Sequence, residues 1–462
     1  MEEETDQNKK KWIFIILGVL ILILLGLGAF LFFNRDSSVA KSIAGVLPFG
    51  QVAPEELRDP ITGGDTIRGN NDVIPGTNNQ DGEPMFRQLT TEPVAGTTRV
   101  IHNGKTFIRY VLRENGFVYD VDPATGDTRQ LTNKTIERVY EALFGNGGNT
   151  IVFRYLTYDA VARRDIITTF IGNLELPVDG VSIGTVVKDS DTILPDDIPA
   201  VSISPDGSLL FYLRLVPDGV SGTVVHLTDT VFPKEVLRNS FSEWLPQIFN
   251  DGTILLTTKP SAAIPGYAYL YYPANKSLSR ILREKNGLTT FSDNTGDHIL
   301  FSENIPGGAS FGMYNKTSYD SEEGVTNHEA LIPLTTLPEK CAWGELRHTL
   351  YCGAYTSNSR AQIPDEWYQG LLNFNDSFWR VNTDTTEITF LADPQKVIQK
   401  NFDVTMPLVD KDELFFVFVD KNDDSLWAMR IPALTQDDIL NAPNQPELTP
   451  EEIKDAVGSV TQ

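Results

Sequence analysis

Residues 201–214 read VSISPDGSLLFYLR, and the fold turns on how this stretch can be covered. Ser204, Pro205 and Gly207 stand at positions i, i+1 and i+3 of a type I β-turn, where those residue types are preferred. Pro205 presets φ, and the Ser204 hydroxyl can bond into the turn. Apolar runs flank it, Ala200 to Ile203 and Leu209 to Leu215. The pattern is a β-hairpin. In its second strand Leu209, Phe211, Leu213 and Leu215 point to one face, while Leu210 and Tyr212 point to the other. A strand apolar on both faces is covered on both. One hairpin cannot supply that cover, so the chain must repeat the unit or wrap it.

The turn recurs. HNGKTFIRYV turns at Gly104, GNGGNTIVFRY at Gly148, SPDGSLLFYL at Gly207, FNDGTILLTT at Gly252 and DNTGDHILFS at Gly296. GELRHTLYCG holds the same place near Arg347, and VDKDELFFVFV does so near Asp412. The spacings are 44, 59, 45, 44, 51 and 65 residues. Strand repeats at about 40–50 residues are the signature of a β-propeller. A second strand–turn–strand half also recurs, at Phe117–Thr132, Ala268–Leu282 and Ser377–Ala392. The expectation is an all-β, seven-bladed propeller of four-stranded antiparallel blades over residues 85–431. The last unit, Phe402 to Ile431, supplies only three strands, and MFRQLTTEP (Met85–Pro93) resembles an outer strand. The N-terminal strand is therefore expected to complete the last blade and close the ring, leaving no long open edge between the termini.

These strand–SPDG–strand units resemble the TolB-like and WD40-like propellers. The resemblance spans roughly residues 85–431, and WD dipeptides are absent. It implies the fold and a habit of binding proteins or peptides. It carries over no functional residues, because the motif that matches is a turn.

Trp12 to Phe33 is 22 residues without a charge, about 33 Å of helix, enough to span a bilayer. Lys9, Lys10 and Lys11 abut its start and mark the preceding residues 1–11 as cytoplasmic. The expectation is one uncleaved transmembrane helix and single-pass location in the cell membrane, with everything beyond it extracytoplasmic. The rival, a cleaved signal peptide, has a shorter apolar region, though Ser38-Val39-Ala40 offers a cleavage triplet. Residues 34–84 are rich in Gly, Pro, Asn and Asp and read as a flexible linker with a root-mean-square span of roughly 40 Å. The polar tail, 432–462, carries a helix start at Thr449-Pro450-Glu451-Glu452 and reads as a docking peptide or as disorder.

The net charge of −24 argues against nucleic-acid binding, which needs a basic face. Cys341 and Cys352 flank the sixth turn. Centring that hairpin on Leu346 and Arg347 sets Cys341 opposite Cys352, within disulfide reach in an oxidising compartment. The expectation is a disulfide, with two buried thiols as the alternative.

Catalytic and metal motifs are weak. Gly308-Ala309-Ser310-Phe311-Gly312 matches a nucleophile elbow but lacks the following helix, and reads as a hairpin loop. The five histidines are scattered over different blades. Asp420 to Ser425 begins like a calcium loop but lacks the glycine and the closing acid, so it reads as a solvated hairpin turn, and no cofactor is expected beyond a weak calcium possibility. The strongest recognition candidate is the long segment Tyr355–Phe378, which offers Asp365, Glu366, Trp367 and Tyr368 with nearby Trp379. Its bland alternative is that both tryptophans pack between blades. A second insertion, Leu176 to Ile198, covers the same rim or the opposite one. The function read from this is a non-catalytic binding or scaffolding module whose partner is an envelope protein or wall polymer. The alternative is an enzyme or small-ligand sensor with its site in the central channel.

Overall fold

In the computed structural model the opening hairpin forms as its turn residues dictate. The Gly207 N–H donates to the Ser204 carbonyl at 2.8 Å, and the Leu209 N–H donates to Ser204 Oγ at 2.9 Å. Gly207 sits at φ 72°, a region that L side chains rarely adopt. It also lets a neighbouring turn approach, since Asn146 N–H donates to the Gly207 carbonyl at 2.9 Å.

The structure describes residues 83–432 except 162, 178–181, 188–191, 228, 306–307, 317–328, 346–347 and 356–360. The expected Trp12–Phe33 span, the cytoplasmic residues before it, almost all of the linker and the tail from 433 lie outside the described residues. Among the described residues no helix is long and apolar enough to cross a membrane.

The first strand is Phe86–Thr90 (β1). Blade 1 comprises Val94–His102, Lys105–Leu112, Val118–Val121 and Thr128–Gln130 (β2–β5). Blade 2 comprises Val139–Gly145, Thr150–Asp159, Arg164–Glu175 and Thr185–Val187 (β6–β9). Blade 3 comprises Ala200–Ile203, Leu209–Val216, Gly219–His226 and Asp229–Asn239 (β10–β13). Blade 4 comprises Trp244–Ile248, Ile254–Thr258, Pro265–Tyr272 and Ser277–Asn286 (β14–β17). Blade 5 comprises Thr289–Ser292, His298–Ile305, Gly308–Asn315 and Glu329–Ile332 (β18–β21). Blade 6 comprises Cys341–Trp343, Thr349–Tyr355, Asp376–Asn382 and Ile388–Ala392 (β22–β25). Blade 7 comprises Val404–Val409, Phe415–Asp420 and Ser425–Arg430 (β26–β28). Each blade is a four-stranded antiparallel sheet, and in the seventh β1 lies beside β28, with Phe86 facing Met429. First strands of successive blades pack together, β2 on β6, β10 on β14, β22 on β26 and β26 on β2, which puts them nearest the axis.

The question raised by residues 201–214 is answered by two separate clusters. Leu209, Phe211 and Leu213 pack against Trp244, Ile248 and Leu256 of blade 4. Leu210 and Tyr212 pack against Val152 and Ile171 of blade 2. Each remaining blade interface has its own cluster. Truncating one such side chain, Phe211→Ala for example, leaves a cavity worth about 3–5 kcal/mol. Leu215 departs from the expected pattern. It is exposed, because the end of β11 overruns the neighbouring blade's cover.

Two other expectations are adjusted, and the Asp420 turn forms as expected. Leu176–Ile198 is no simple insertion, since it contains β9, the outer strand of blade 2. Gly308–Gly312 is strand rather than loop, with Ser310 paired to Glu303 along β19. The Asp420 region is a hairpin turn, Asp420 facing Ser425. Cys341 and Cys352 form a disulfide, and the expected register holds, with Ala342 facing Tyr351 and Trp343 facing Leu350.

Candidate functional site

Antiparallel order sorts the connections onto two faces. The turns joining first to second strands lie on one face, together with those joining third to fourth; it is called the turn face below. Loops joining second to third strands, and linkers between blades, lie on the other, the loop face. All seven hairpin turns read from the sequence belong to the turn face. β1 runs from the turn face to the loop face and β28 runs the opposite way, so the chain enters and leaves the wheel on the turn face. The long segment between β23 and β24 lies on the loop face.

That segment is seated on buried charge. Lys340 Nζ lies 2.7 Å from Asp376 Oδ2, also contacts Asp403 Oδ1, and donates to the Val404 carbonyl at 3.1 Å. All three charged side chains are fully buried. Burial pushes the Asp376 carboxyl up to about 6, opposed by the neighbouring Lys340 ammonium. Trp367 closes over them. Its indole N–H is shared between the two Asp403 oxygens at 3.0 Å each, and its ring centroid lies 5.1 Å from the Lys340 ammonium. Phe374 donates its N–H to Asp403 Oδ2 at 3.1 Å and stacks on Tyr355 with centroids 3.7 Å apart. A buried cation between two acids beneath aromatic rings makes this a rigid seat.

The five residues singled out in the sequence therefore divide. Trp367 is buried and holds the segment down. Asp365 accepts the Ala262 N–H, tying the segment to blade 4. Glu366 is half-buried and its carbonyl accepts the Leu371 and Leu372 N–H groups. Tyr368 is exposed and donates its hydroxyl to Glu339. Trp379 is not brought to the others. It faces Cys352 and Phe390 in the blade 6 sheet, with its indole N–H on Ser377 Oγ at 2.8 Å.

An arc of exposed apolar residues that sequence reasoning missed runs from blade 2 to this segment. Tyr158 and Val161 of blade 2, Leu215 of blade 3, Ile264 of blade 4, Ile305 of blade 5, and Tyr368 and Leu371 of blade 6 are exposed at their loop-face ends. Val161 is 94% exposed and Leu371 73%, so neither contributes to a core. Charges around them are largely paired within the face, Arg138 with Asp165, Arg164 with Asp197, Arg238 with Glu235 and Lys259 with Glu243. The face therefore carries exposed apolar side chains on five successive blades, interspersed with these paired charges.

The turn face has a different chemistry. Asp251 accepts the Thr253 N–H at 2.8 Å, and Asp410 accepts those of Leu414 and Phe415 at 2.6 Å each. Such carboxylates close turns. Asp293 does the same and also holds His298 at 2.9 Å, which raises the imidazole above its usual range. Among the described residues no group of three or more His, Cys, Asp or Glu is placed to hold a metal ion. In the Asp420 turn, Oδ1 accepts the Asp403 and Asn422 N–H groups, and Oδ2 faces the Lys400 ammonium at 3.3 Å.

No family model and no curated protein sequence matches the chain. Solved structures do. An oligogalacturonate lyase from Vibrio parahaemolyticus superposes with a TM-score of 0.52 at 10% identity, over 80% of this chain and 99% of that one. The Cps50 (Swd1) β-propeller domain of Myceliophteria thermophila gives 0.47 at 9% identity, over 76% and 100%. TolB from Acinetobacter baumannii gives 0.37 at 13% identity, over 60% and 59%. At these identities the likeness is one of fold alone.

Proposed function

We propose that this chain is a non-catalytic binding or scaffolding module of the cell envelope, held to the membrane by Trp12–Phe33 and docking an envelope protein or wall polymer on its loop face. The observation that carries the reading is the exposed apolar arc on one face of the wheel, opposite the face through which the chain enters. The turn face also exposes Ile101 and Leu414, but more such residues gather on the loop face, and apolar surface gathered on one side favours an interaction site. The segment seated by Trp367 presents Tyr368 and Leu371 within that arc, with Asp365 and Glu366 fixing its path, and Trp379 supports blade 6 from behind. The Lys9–Lys11 run favours an extracytoplasmic propeller, and the Cys341–Cys352 disulfide suits an oxidising compartment. We read β1 as the clasp that closes the ring.

Photo-cross-linking in intact cells tests this. A cross-linker at Leu371 is expected to give a discrete adduct that one at Asn103, on the turn face, does not. The adduct should disappear when Val161→Asp and Ile264→Asp are added. Equal adducts from both faces, or none from Leu371, would overturn the reading.

A further inference from the structure

The outermost strands of the wheel are unequal. β5 and β9 have 3 residues each, β21 has 4, and β1 and β25 have 5. Short edges of this kind prevent unwanted strand pairing. β13 is long, at 11 residues, but carries Pro233, which lacks a donor. β17 is the longest without proline, with 10 residues, SLSRILREKN; bulges at Ile281 and at Arg283–Glu284, with Glu284 at φ 55°, leave Ser277–Arg280 as its regular run. Its first four side chains are exposed, as are Arg283 and Glu284. Among the described residues its main chain bonds only to its own ladder with β16, apart from the Ser277 N–H, which donates to Asn275 Oδ1 at 3.0 Å. The N–H and C=O groups on its outer side are open to a partner.

The charge of this edge is also unusual. In a chain of net charge −24, β17 and the turn before it carry Lys276, Arg280, Arg283 and Lys285 against a single acid, Glu284. Lys285 is engaged, 2.9 Å from Glu329 and 4.4 Å from the Phe301 ring centroid. Lys276, Arg280 and Arg283 have no ion-pair partner among the described residues, and exposed Leu278 lies between them. Unpaired cations along an open strand edge are complementary to an extended chain bearing carboxylates.

We propose that β17 is a strand-addition site, at which an extended acidic segment of a partner protein pairs as a fifth strand of blade 4. Main-chain hydrogen bonds supply the affinity in this mode of recognition, and side chains supply the selection. Here Arg280 and Arg283 select for acidic side chains, and Leu278 adds an apolar contact. This site lies on the outer rim and does not depend on the loop-face reading.

The probe is a fluorescein-labelled peptide of five Glu-Val repeats, followed by anisotropy against the full chain in detergent micelles. Saturable binding is expected, weakened at least 10-fold in the Arg280→Glu, Arg283→Glu double variant, and by about as much when every peptide nitrogen is methylated. A peptide of Lys-Val repeats should prefer the double variant. Amide exchange over 277–286 should slow when the Glu-Val peptide binds. These arginines are exposed, so the variant's melting temperature should match wild type and exclude misfolding as the cause. Undiminished binding of the methylated peptide would reduce the site to charge attraction and overturn the proposal. Indifference to the double variant, or absence of saturable binding, would overturn it equally. The loop-face adduct from Leu371 is unaffected in each case, so the two readings fail separately.

Discussion

Replacing Lys340 by Met should expose how much the loop-face segment depends on one buried cation. The ammonium lies 2.7 Å from Asp376 Oδ2 and also contacts Asp403 Oδ1. After its removal Asp403 keeps the Trp367 and Phe374 N–H groups, with Lys421 4.0 Å away. Asp376 keeps one close donor, the Val404 N–H at 2.7 Å on Oδ2, while its Oδ1 is already without a hydrogen bond. Stripping one member from a buried pair costs about 3–5 kcal/mol. With an unfolding entropy of about 2.1 cal/mol/K per residue over roughly 350 residues, that is a fall of about 4–7 °C in melting temperature. The pH dependence gives the sharper test. Because the folded-state value of Asp376 is raised from 3.8 to about 6, the folded protein holds that proton more tightly than the unfolded chain does. Its contribution to stability therefore falls as pH rises from about 4 to about 6. Without Lys340 the value climbs further, so the variant's deficit should shrink between about pH 7.5 and about pH 5 as Asp376 becomes neutral. Calorimetry at both values measures this. A variant that melts with wild type near neutrality, or whose deficit grows on acidification, refutes the reasoning. Adding Asp376→Leu should recover part of the loss, since no buried carboxylate then lacks its cation.

Two further outcomes are expected. Gly207→Ala should cost more than Gly104→Ala. Both lie at positive φ, but the added carbon meets Asn146 N at 2.6 Å in the first and nothing within 4 Å in the second. The second should lose about 1–2 kcal/mol, and equal urea midpoints would contradict the turn-to-turn contact. Deleting residues 1–90 rather than 1–82 removes β1 and bares the β28 edge. The shorter chain should aggregate by light scattering and lose amide protection at Leu426 to Met429, and unchanged behaviour would show that β1 is dispensable.

The repeat was legible because each blade hairpin carries its own local signal. Asn103-Gly104, Asp206-Gly207 and Asp251-Gly252 announce turns, and the runs after them are apolar on both faces. The cross-strand partner of Cys341 could be read because the turn fixes the register. Leu215 misled because alternation records which way a side chain points, and says nothing of how far the next blade extends. Trp367 was visible in the sequence, but its role was not. Whether an indole faces solvent or a buried carboxylate depends on Asp403, 36 residues away in the next blade. The apolar arc gave no signal. Val161, Ile264 and Leu371 sit in loops without strand or helix periodicity, and only closure of the ring gathers them onto one face.

That the chain enters the wheel through β1 has a mechanical consequence. Tension applied at residue 83 along the direction of β1 would run antiparallel to its paired neighbour β28. The ladder bonds between them would then be loaded in shear, all at once. They would not peel singly, as they would if the same strand were pulled sideways. A wheel entered in this way would resist a pull along β1 better than one across it.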